Sequence, residues 1–170
     1  MSTAISRRLA RTAAVAAALS GGLLVMPTPA HAAWAAQYNL SIQVTYRFPA
    51  GSTVQLGRAD GWVQFDDGGN SFRYSLTVCR QSGYTTPDLR VSVNAGWVGS
   101  TWSQTNLEYV TLPGTSTVTP TAPCYGQTNT VTGEETYANF SNVHFELFGD
   151  TFNGSAYTTA SQDALIYNQY

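Results

Sequence analysis

The residues best suited to chemistry are a histidine and a glutamate two positions apart, His144 and Glu146. Residues two apart on a β-strand point to the same side, so this imidazole and carboxylate could share a proton or a metal ion. A metal site needs three or four donors, and no third donor lies at a fitting spacing. The pattern therefore predicts a solvent-facing pair on the face opposite Val143, Phe145 and Leu147, with no metal and no cofactor.

Hydrolase chemistry is the second possibility. A glycosidase needs two facing carboxylates, and the spacing selects no pair among the available acids. These acids are Glu108, Glu134, Glu135, Glu146, Asp150 and Asp163. A serine triad would have to use His144, and the sequence contains no G-x-S-x-G motif. The sequence therefore indicates no catalytic set, and a small hydrolase with paired carboxylates stays an alternative.

An acidic turn, with Asp66, Asp67 and Asn70, could bring oxygen ligands to calcium. Calcium takes six to eight oxygen ligands, and this run offers three side chains. Aspartate, asparagine and glycine are also the residues of a tight hairpin turn. The run therefore predicts a plain turn, as does the stretch 150–154, and calcium binding at the first turn stays open.

Aromatic residues are the feature that favours a function, since the chain has 4 Trp and 10 Tyr. Trp97 and Trp102 bracket a short turn, so a hairpin would make their indoles cross-strand neighbours, with Tyr109 further along. Exposed rings of this kind would bind glycan or another protein. The alternative is that the rings fill the core with their polar atoms hydrogen-bonded.

The first thirty-two residues have the pattern of a secretory signal. Arg7, Arg8 and Arg11 precede an apolar stretch over 12–26, and an A-x-A cleavage site lies at 30–32. The apolar stretch is shorter than the roughly 20 residues that a membrane anchor needs. We expect a secreted, extracellular chain of residues 33–170, without a membrane anchor and similar in composition to exported bacterial proteins.

Beyond position 32 the chain is acidic. All ten acids lie there with five basic residues, a net charge of −5, and the chain has no lysine. Those basic residues are Arg47, Arg58, Arg73, Arg80 and Arg90. They are too few and too dispersed to bind a phosphate backbone, which excludes nucleic acid as a partner.

Two cysteines, Cys79 and Cys124, form an even pair, and in an oxidising compartment we expect one disulfide. The segment 113–123 before Cys124 is rich in threonine and proline and predicts extended, loosely packed backbone. This loop near Cys124 is the candidate segment if the protein is a protease inhibitor. The alternative is a linker between two domains, although only 47 residues follow position 123.

Strand periodicity dominates the remaining sequence. Tyr38, Leu40, Ile42, Val44 and Tyr46 alternate with polar residues, which predicts a strand with these five side chains in the core. Other strands are expected over 62–65, 72–79, 89–97, 102–112, 128–132, 137–148, 155–159 and 164–167. Many short strands without helices predict a single all-β domain over 33–170, an antiparallel sandwich or, alternatively, a barrel. We expect it to be a binding protein and not an enzyme.

Overall fold

The computed structural model describes residues 33–81, 86–112, 124 and 127–170, and every helix or strand within them is a β-strand. The strands are β1 (Tyr38–Arg47), β2 (Thr53–Phe65), β3 (Ser71–Arg80), β4 (Asp88–Val98), β5 (Thr101–Thr111), β6 (Thr128–Thr136), β7 (Asn142–Asn153) and β8 (Ala156–Tyr167). The segment 1–32, which the sequence predicts to be a secretory signal, and the threonine- and proline-rich segment 113–123 lie outside the described residues.

The strands form two antiparallel four-stranded sheets. The first sheet has the order β1-β2-β3-β6, and the second has the order β5-β4-β7-β8. Strands β1 and β2 pack against β7, and β1 also packs against β8. The sandwich prediction is therefore confirmed over the barrel. Strand β6 joins the first sheet and β7 and β8 join the second, so the chain after position 123 belongs to the same fold.

The core lies between the sheets, and β1 supplies its side chains with the expected alternation. Leu40, Ile42 and Val44 are buried, while Tyr38 and Tyr46 pack against the core from the two ends of the strand. The second sheet contributes Val143, Phe145 and Leu147 of β7 and their neighbours on β4. This alternation places the polar side chains of β4 and β7 on the outer face of the second sheet.

Strand β2 begins nine residues before the predicted position, at Thr53 instead of Trp62. Its first half carries Gly57, Ala59 and Gly61 at the positions that pair with the large core residues of β1. A Cβ added at Gly61 would lie 2.0 Å from the carbonyl oxygen of Ser75, so glycine is required there. The prediction missed this half because small core residues show no apolar alternation.

The C-terminal strands also differ from the prediction. Strand β7 begins at Asn142 and not at Tyr137, and β8 is one unbroken strand instead of two strands over 155–159 and 164–167. Strand β8 lies at the edge of the second sheet, and its middle residues Ser161 and Gln162 are exposed. An edge strand with little burial needs no apolar pattern, so the sequence signal was interrupted while the backbone pairing continues.

The expected disulfide joins Cys79 of β3 to Cys124, with the two Cα atoms 5.4 Å apart. It closes a loop of 45 residues, which constrains the unfolded chain by on the order of 4 kcal/mol in the chain-entropy model.

Replacing both Cys79 and Cys124 by alanine is therefore expected to lower the free energy of unfolding by about 2 to 4 kcal/mol. Urea denaturation of wild type and the double variant measures the difference. Equal midpoints and equal slopes would show that the bond contributes no stability.

Candidate functional site on the outer face of the second sheet

Strand register aligns charged side chains on the outer face of the second sheet. Arg90 of β4 pairs with Glu146 of β7, and Glu146 pairs with Asp163 of β8, so the three lie in one row across the sheet. The next row holds Ser92 and His144. A guanidinium nitrogen of Arg90 donates to the Glu146 carboxylate, and this ion pair is partly shielded from solvent.

The hairpin between β4 and β5 places two indoles beside these rows. Gly99 occupies the first position of the two-residue loop with φ +65°, a conformation that glycine adopts without strain. Trp97 and Trp102 are cross-strand partners, and their rings meet edge to face with centroids 5.6 Å apart. Trp97 is 70% exposed and Trp102 is 39% exposed. The structure thus brings the predicted pair together at the surface.

A β-bulge in β4 decides which face Trp97 occupies. Between the same two ladder pairs, β4 has two residues, Asn94 and Ala95, whereas its partner β5 has one. Asn94 has φ 53°. Without this extra residue, alternation from Val93 would point Trp97 into the core. The buried side chain of Asn142 accepts from the Ala95 N–H and donates to its C=O, both at 2.9 Å. These two hydrogen bonds join β4 to β7 beyond Val93, where the backbone ladder between the two strands ends.

A second irregularity, in β5, determines where Tyr109 lies. Glu108 pairs with Val91 and Asn106 pairs with Ser92, so Leu107 is an extra residue. It brings Tyr109 onto the face that carries Trp102, although the two are an odd number of residues apart. Tyr109 is exposed, donates to Asp88 at 3.2 Å and packs against the ring of Phe148 at 6.2 Å.

Glu108, one of the candidate catalytic acids, is directed away from this face. Its carboxylate accepts a hydrogen bond from the hydroxyl of Tyr74, a core residue of β3. Burial, followed by the contact with Glu108, raises the pKa of the Tyr74 phenol well above its ordinary value. This carboxylate is therefore engaged in a contact between the sheets.

The prediction of a solvent-facing His144 is wrong, because this side chain is 2% exposed. Its direction is as expected, but the Trp102 ring covers it at 5.6 Å. Its Nδ1 lies 3.0 Å from Oε1 of Gln104, and its Nε2 lies 3.0 Å from Oδ2 of Asp163. Gln104 also accepts from the indole N–H of Trp102 at 3.2 Å, so His144 and Gln104 together hold the exposed indole in place.

These side chains surround a shallow depression with a volume of about 280 Å³. Its lining consists of Arg90, Trp97, Trp102, His144, Glu146 and Asp163. Two indoles thus border a floor of charged hydrogen-bonding groups. Tyr109 pairs with Arg90 and shares the face of the two tryptophans, but it is not among the residues that line this depression.

Ser92, His144 and Asp163 have the residue types of a hydrolase triad. Ser92 Oγ lies 3.2 Å from His144 Nδ1, and Asp163 binds the other ring nitrogen. A nucleophile must reach the substrate carbonyl, and Ser92 is completely buried beneath this face. The hydrogen bonds therefore orient the imidazole, and they leave the hydroxyl no path to a substrate.

Glu146 and Asp163 are the two acids that the structure places side by side on this face, as cross-strand partners. Side chains in such positions have Cβ atoms about 5 Å apart, so their carboxyl groups are close enough neighbours to be considered as a glycosidase pair. Glu146 is bound by Arg90 and Asp163 by His144. Each of the two carboxylates is therefore bound by a side chain of a neighbouring strand.

The acidic turn after β2 is stabilised by its own aspartate. Asp66 is buried, and its Oδ1 accepts from the backbone N–H groups of Asn70 and Ser71 at 2.8 and 2.7 Å. Asn70 donates to the carbonyl of Gly68 at 2.9 Å. These are the contacts of the plain turn that the sequence predicts. Among the described residues, no group of three or more histidine, cysteine, aspartate or glutamate side chains could hold a metal ion.

The first sheet carries a larger depression on its own outer face, with a volume of about 420 Å³ and with Trp62, Arg73 and Glu134 in its lining. One further indole, Trp34, lies nearby, but the guanidinium of Arg73 covers its ring at 4.4 Å. The cavity volume is greater here, whereas the freely exposed indole surface is on the second sheet. Trp62 therefore serves as a control position.

At the far end of the second sheet, Tyr157 is paired with an acid. A hydrogen bond with Asp150 raises the pKa of the Tyr157 phenol to about 12. The folded pKa exceeds the unfolded value, so this bond stabilises the fold below pH 10 and its contribution is lost as the pH rises through about 12.

We therefore expect Asp150→Asn to bring the Tyr157 titration back toward pH 10. Absorbance of the ionised phenol near 295 nm measures this shift, with Tyr157→Phe identifying the signal. Identical titration curves for wild type and Asp150→Asn would contradict the contact.

Comparison with known proteins gives no match: no family model, no curated protein and no solved structure is similar to this chain. Within the described residues, no helix is long and apolar enough to cross a membrane. The disulfide is compatible with an extracellular protein.

Proposed function

We propose that this protein is an exported carbohydrate-binding protein without catalytic activity, and that it binds through the outer face of the second sheet. The observation that carries the proposal is the exposed pair Trp97 and Trp102 at the border of a depression with a charged floor. The signal pattern of the first thirty-two residues supports export, and the disulfide is compatible with it.

Sugars combine two surfaces that this arrangement complements. Their C–H faces are apolar and stack on aromatic rings, and their hydroxyl groups both donate and accept hydrogen bonds. The indole of Trp102 is held by Gln104 and His144, so little side-chain entropy is lost when a ligand stacks on it. Arg90 and Glu146 offer donors and acceptors beside it.

The shape of the site favours a sugar over a protein partner. A depression of about 280 Å³ with charged groups on its floor fits a compact polar ligand. A stable protein interface instead has an apolar centre from which charged residues are depleted. A hydrolase is one outcome of the test below, and absence of sugar binding would leave a protein ligand or a protease inhibitor as the alternatives. The candidate inhibitor segment 113–123 lies outside the described residues.

Retention on insoluble cellulose, chitin and xylan tests the proposal. We expect wild type to be retained on at least one of them, and Trp102→Ala and Trp97→Ala to lose at least about tenfold in affinity, since stacking adds roughly 0.5 to 1.5 kcal/mol to the burial of ring area. Trp62→Ala, on the first sheet, is the matched control and should bind as wild type does.

Three results would contradict the proposal. Absence of retention on every polysaccharide would exclude this ligand class among the polymers used. Equal binding by wild type and Trp102→Ala, at equal melting temperatures, would move the site elsewhere. Release of reducing sugar during the incubation would indicate a hydrolase and give the carboxylates Glu146 and Asp163 a catalytic role.

A further inference from the structure

A second exposed aromatic pair lies on the same face, at the opposite end of β7. Phe152 and Tyr157 are cross-strand partners at the β7–β8 hairpin, with ring centroids 5.5 Å apart and an edge-to-face arrangement. They are 40% and 57% exposed. Phe152 points outward because its neighbour Thr151 is buried, being 1% exposed. The depression beside the tryptophans does not extend to this pair.

Ring contacts recur along β7 at a regular spacing. His144 contacts Trp102, Phe148 contacts Tyr109, and Phe152 contacts Tyr157. The three β7 residues are four positions apart and share the outer face. At 3.3 to 3.4 Å per residue, successive contacts are about 13 Å apart and the series spans about 27 Å. A single sugar or disaccharide is too short to reach from the first contact to the last.

Acidic groups dominate the charge between these rings. Asp163 and Glu146 lie in the depression, while Asp88 accepts from Tyr109 and Asp150 accepts from Thr159. The one basic side chain among the described residues of these rows is Arg90, and it is paired with Glu146. Such a face repels carboxylate and sulfate groups, so its ligand is a polymer without them.

We propose that the outer face of the second sheet is an extended binding surface for an unbranched, non-anionic polysaccharide chain, with Trp97 and Trp102 at one end and Phe152 and Tyr157 at the other. This inference rests on the proposed function, and it specifies the ligand's length and charge. Each added stacking contact contributes to affinity because the first contact already holds the chain beside the second.

Titration calorimetry with β-1,4-linked glucose and N-acetylglucosamine oligomers, from disaccharide to octasaccharide, tests the length requirement. Wild type should bind the octasaccharide at least fivefold more tightly than the tetrasaccharide. Tyr157→Ala should lose this gain and keep the tetrasaccharide affinity. Tyr170→Ala is the matched control, since Tyr170 is 56% exposed and its backbone lies against Gly69 in the turn after β2, away from this face.

A second arm tests the charge requirement with two soluble polymers of one backbone, hydroxyethyl cellulose and carboxymethyl cellulose. In affinity gel electrophoresis, the uncharged polymer should retard wild type at least fivefold more strongly than the anionic one. Equal or stronger retardation by carboxymethyl cellulose would overturn the stated ligand charge. Absence of retardation by both polymers would contradict binding of this polymer backbone.

The outcomes separate this inference from the proposed function. If Tyr157→Ala binds every oligomer as wild type does while Trp102→Ala loses binding, the extended surface is wrong and the tryptophan site stands. If Trp102→Ala binds normally and Tyr157→Ala does not, the tryptophan site is wrong. If wild type binds no oligomer and no polysaccharide, the proposed function and this inference both fail.

Discussion

Replacing Ile42 by aspartate is expected to unfold the protein. Ile42 is 1% exposed and lies in the middle of β1, between the two sheets. The substitution removes a full side chain's burial, worth about 1.5 to 3 kcal/mol, and places a carboxylate where no partner for it exists among the surrounding core residues. The summed cost of about 5 kcal/mol or more reaches the total stability of single domains, which is about 5 to 15 kcal/mol.

Thr45→Asp is the matched control, because it introduces the same carboxylate three residues away at an exposed position. Its free energy of unfolding should lie within about 0.5 kcal/mol of wild type. Circular dichroism and urea denaturation measure both variants. A folded Ile42→Asp protein, or equal destabilisation by the two substitutions, would contradict the direction assigned to β1.

Asn142→Leu carries the second large effect, since Asn142 satisfies two backbone groups at once. Its amide binds the N–H and the C=O of Ala95 at the β4 bulge, and both residues are buried. Leucine has a similar volume but no polar atoms, so two buried groups would lose their partners. At about 1 to 3 kcal/mol for each, we expect a loss of roughly 2 to 6 kcal/mol.

The control for that variant is Asn39→Leu, an exposed asparagine of β1, which should change stability by no more than about 0.5 kcal/mol. Tryptophan fluorescence adds a second measurement, because the bulge that Asn142 stabilises directs Trp97 outward. Equal stability and an unchanged spectrum for Asn142→Leu would show that the bulge does not depend on this side chain.

The sequence predicts best where one strand face is apolar and the other polar. Leu40, Ile42 and Val44 alternate strictly, and their direction is confirmed. The disulfide between Cys79 and Cys124 is also confirmed, since two cysteines allow one pairing. In these cases the alternation of residue types leaves one orientation of the strand, and the number of cysteines leaves one disulfide.

Small residues and exposed edges limit the prediction elsewhere. The first half of β2 holds Gly57 and Gly61 where backbone atoms and neighbouring side chains leave no room for a Cβ. Nothing in the local pattern distinguishes such a strand from a loop, because the requirement comes from neighbouring strands. Strand β8 is missed as one element since its edge position removes the need for alternation.

The candidate site depends on two extra residues in its strands, which strict alternation of side chains does not predict. Strict alternation would place Trp97 in the core and Tyr109 opposite Trp102, and the extra residues in β4 and β5 reverse both. One signal was available in the sequence: residue 94 is an asparagine, which is enriched at positive φ, and Asn94 does adopt this conformation at the bulge. The burial of His144 depends on Trp102 and Gln104 and required the tertiary structure.

Sugar binding at the outer face of the second sheet can be observed at the four indole N–H groups by NMR, while the ¹⁵N-labelled protein is titrated with cello- and chito-oligosaccharides. The chain carries two indoles near the outer face of the first sheet, Trp34 and Trp62, and two on the second, Trp97 and Trp102. We expect the Trp97 and Trp102 signals to shift together, while the other two remain in place. Shifts confined to Trp34 and Trp62, or no shift with any oligosaccharide, would contradict sugar binding at this face.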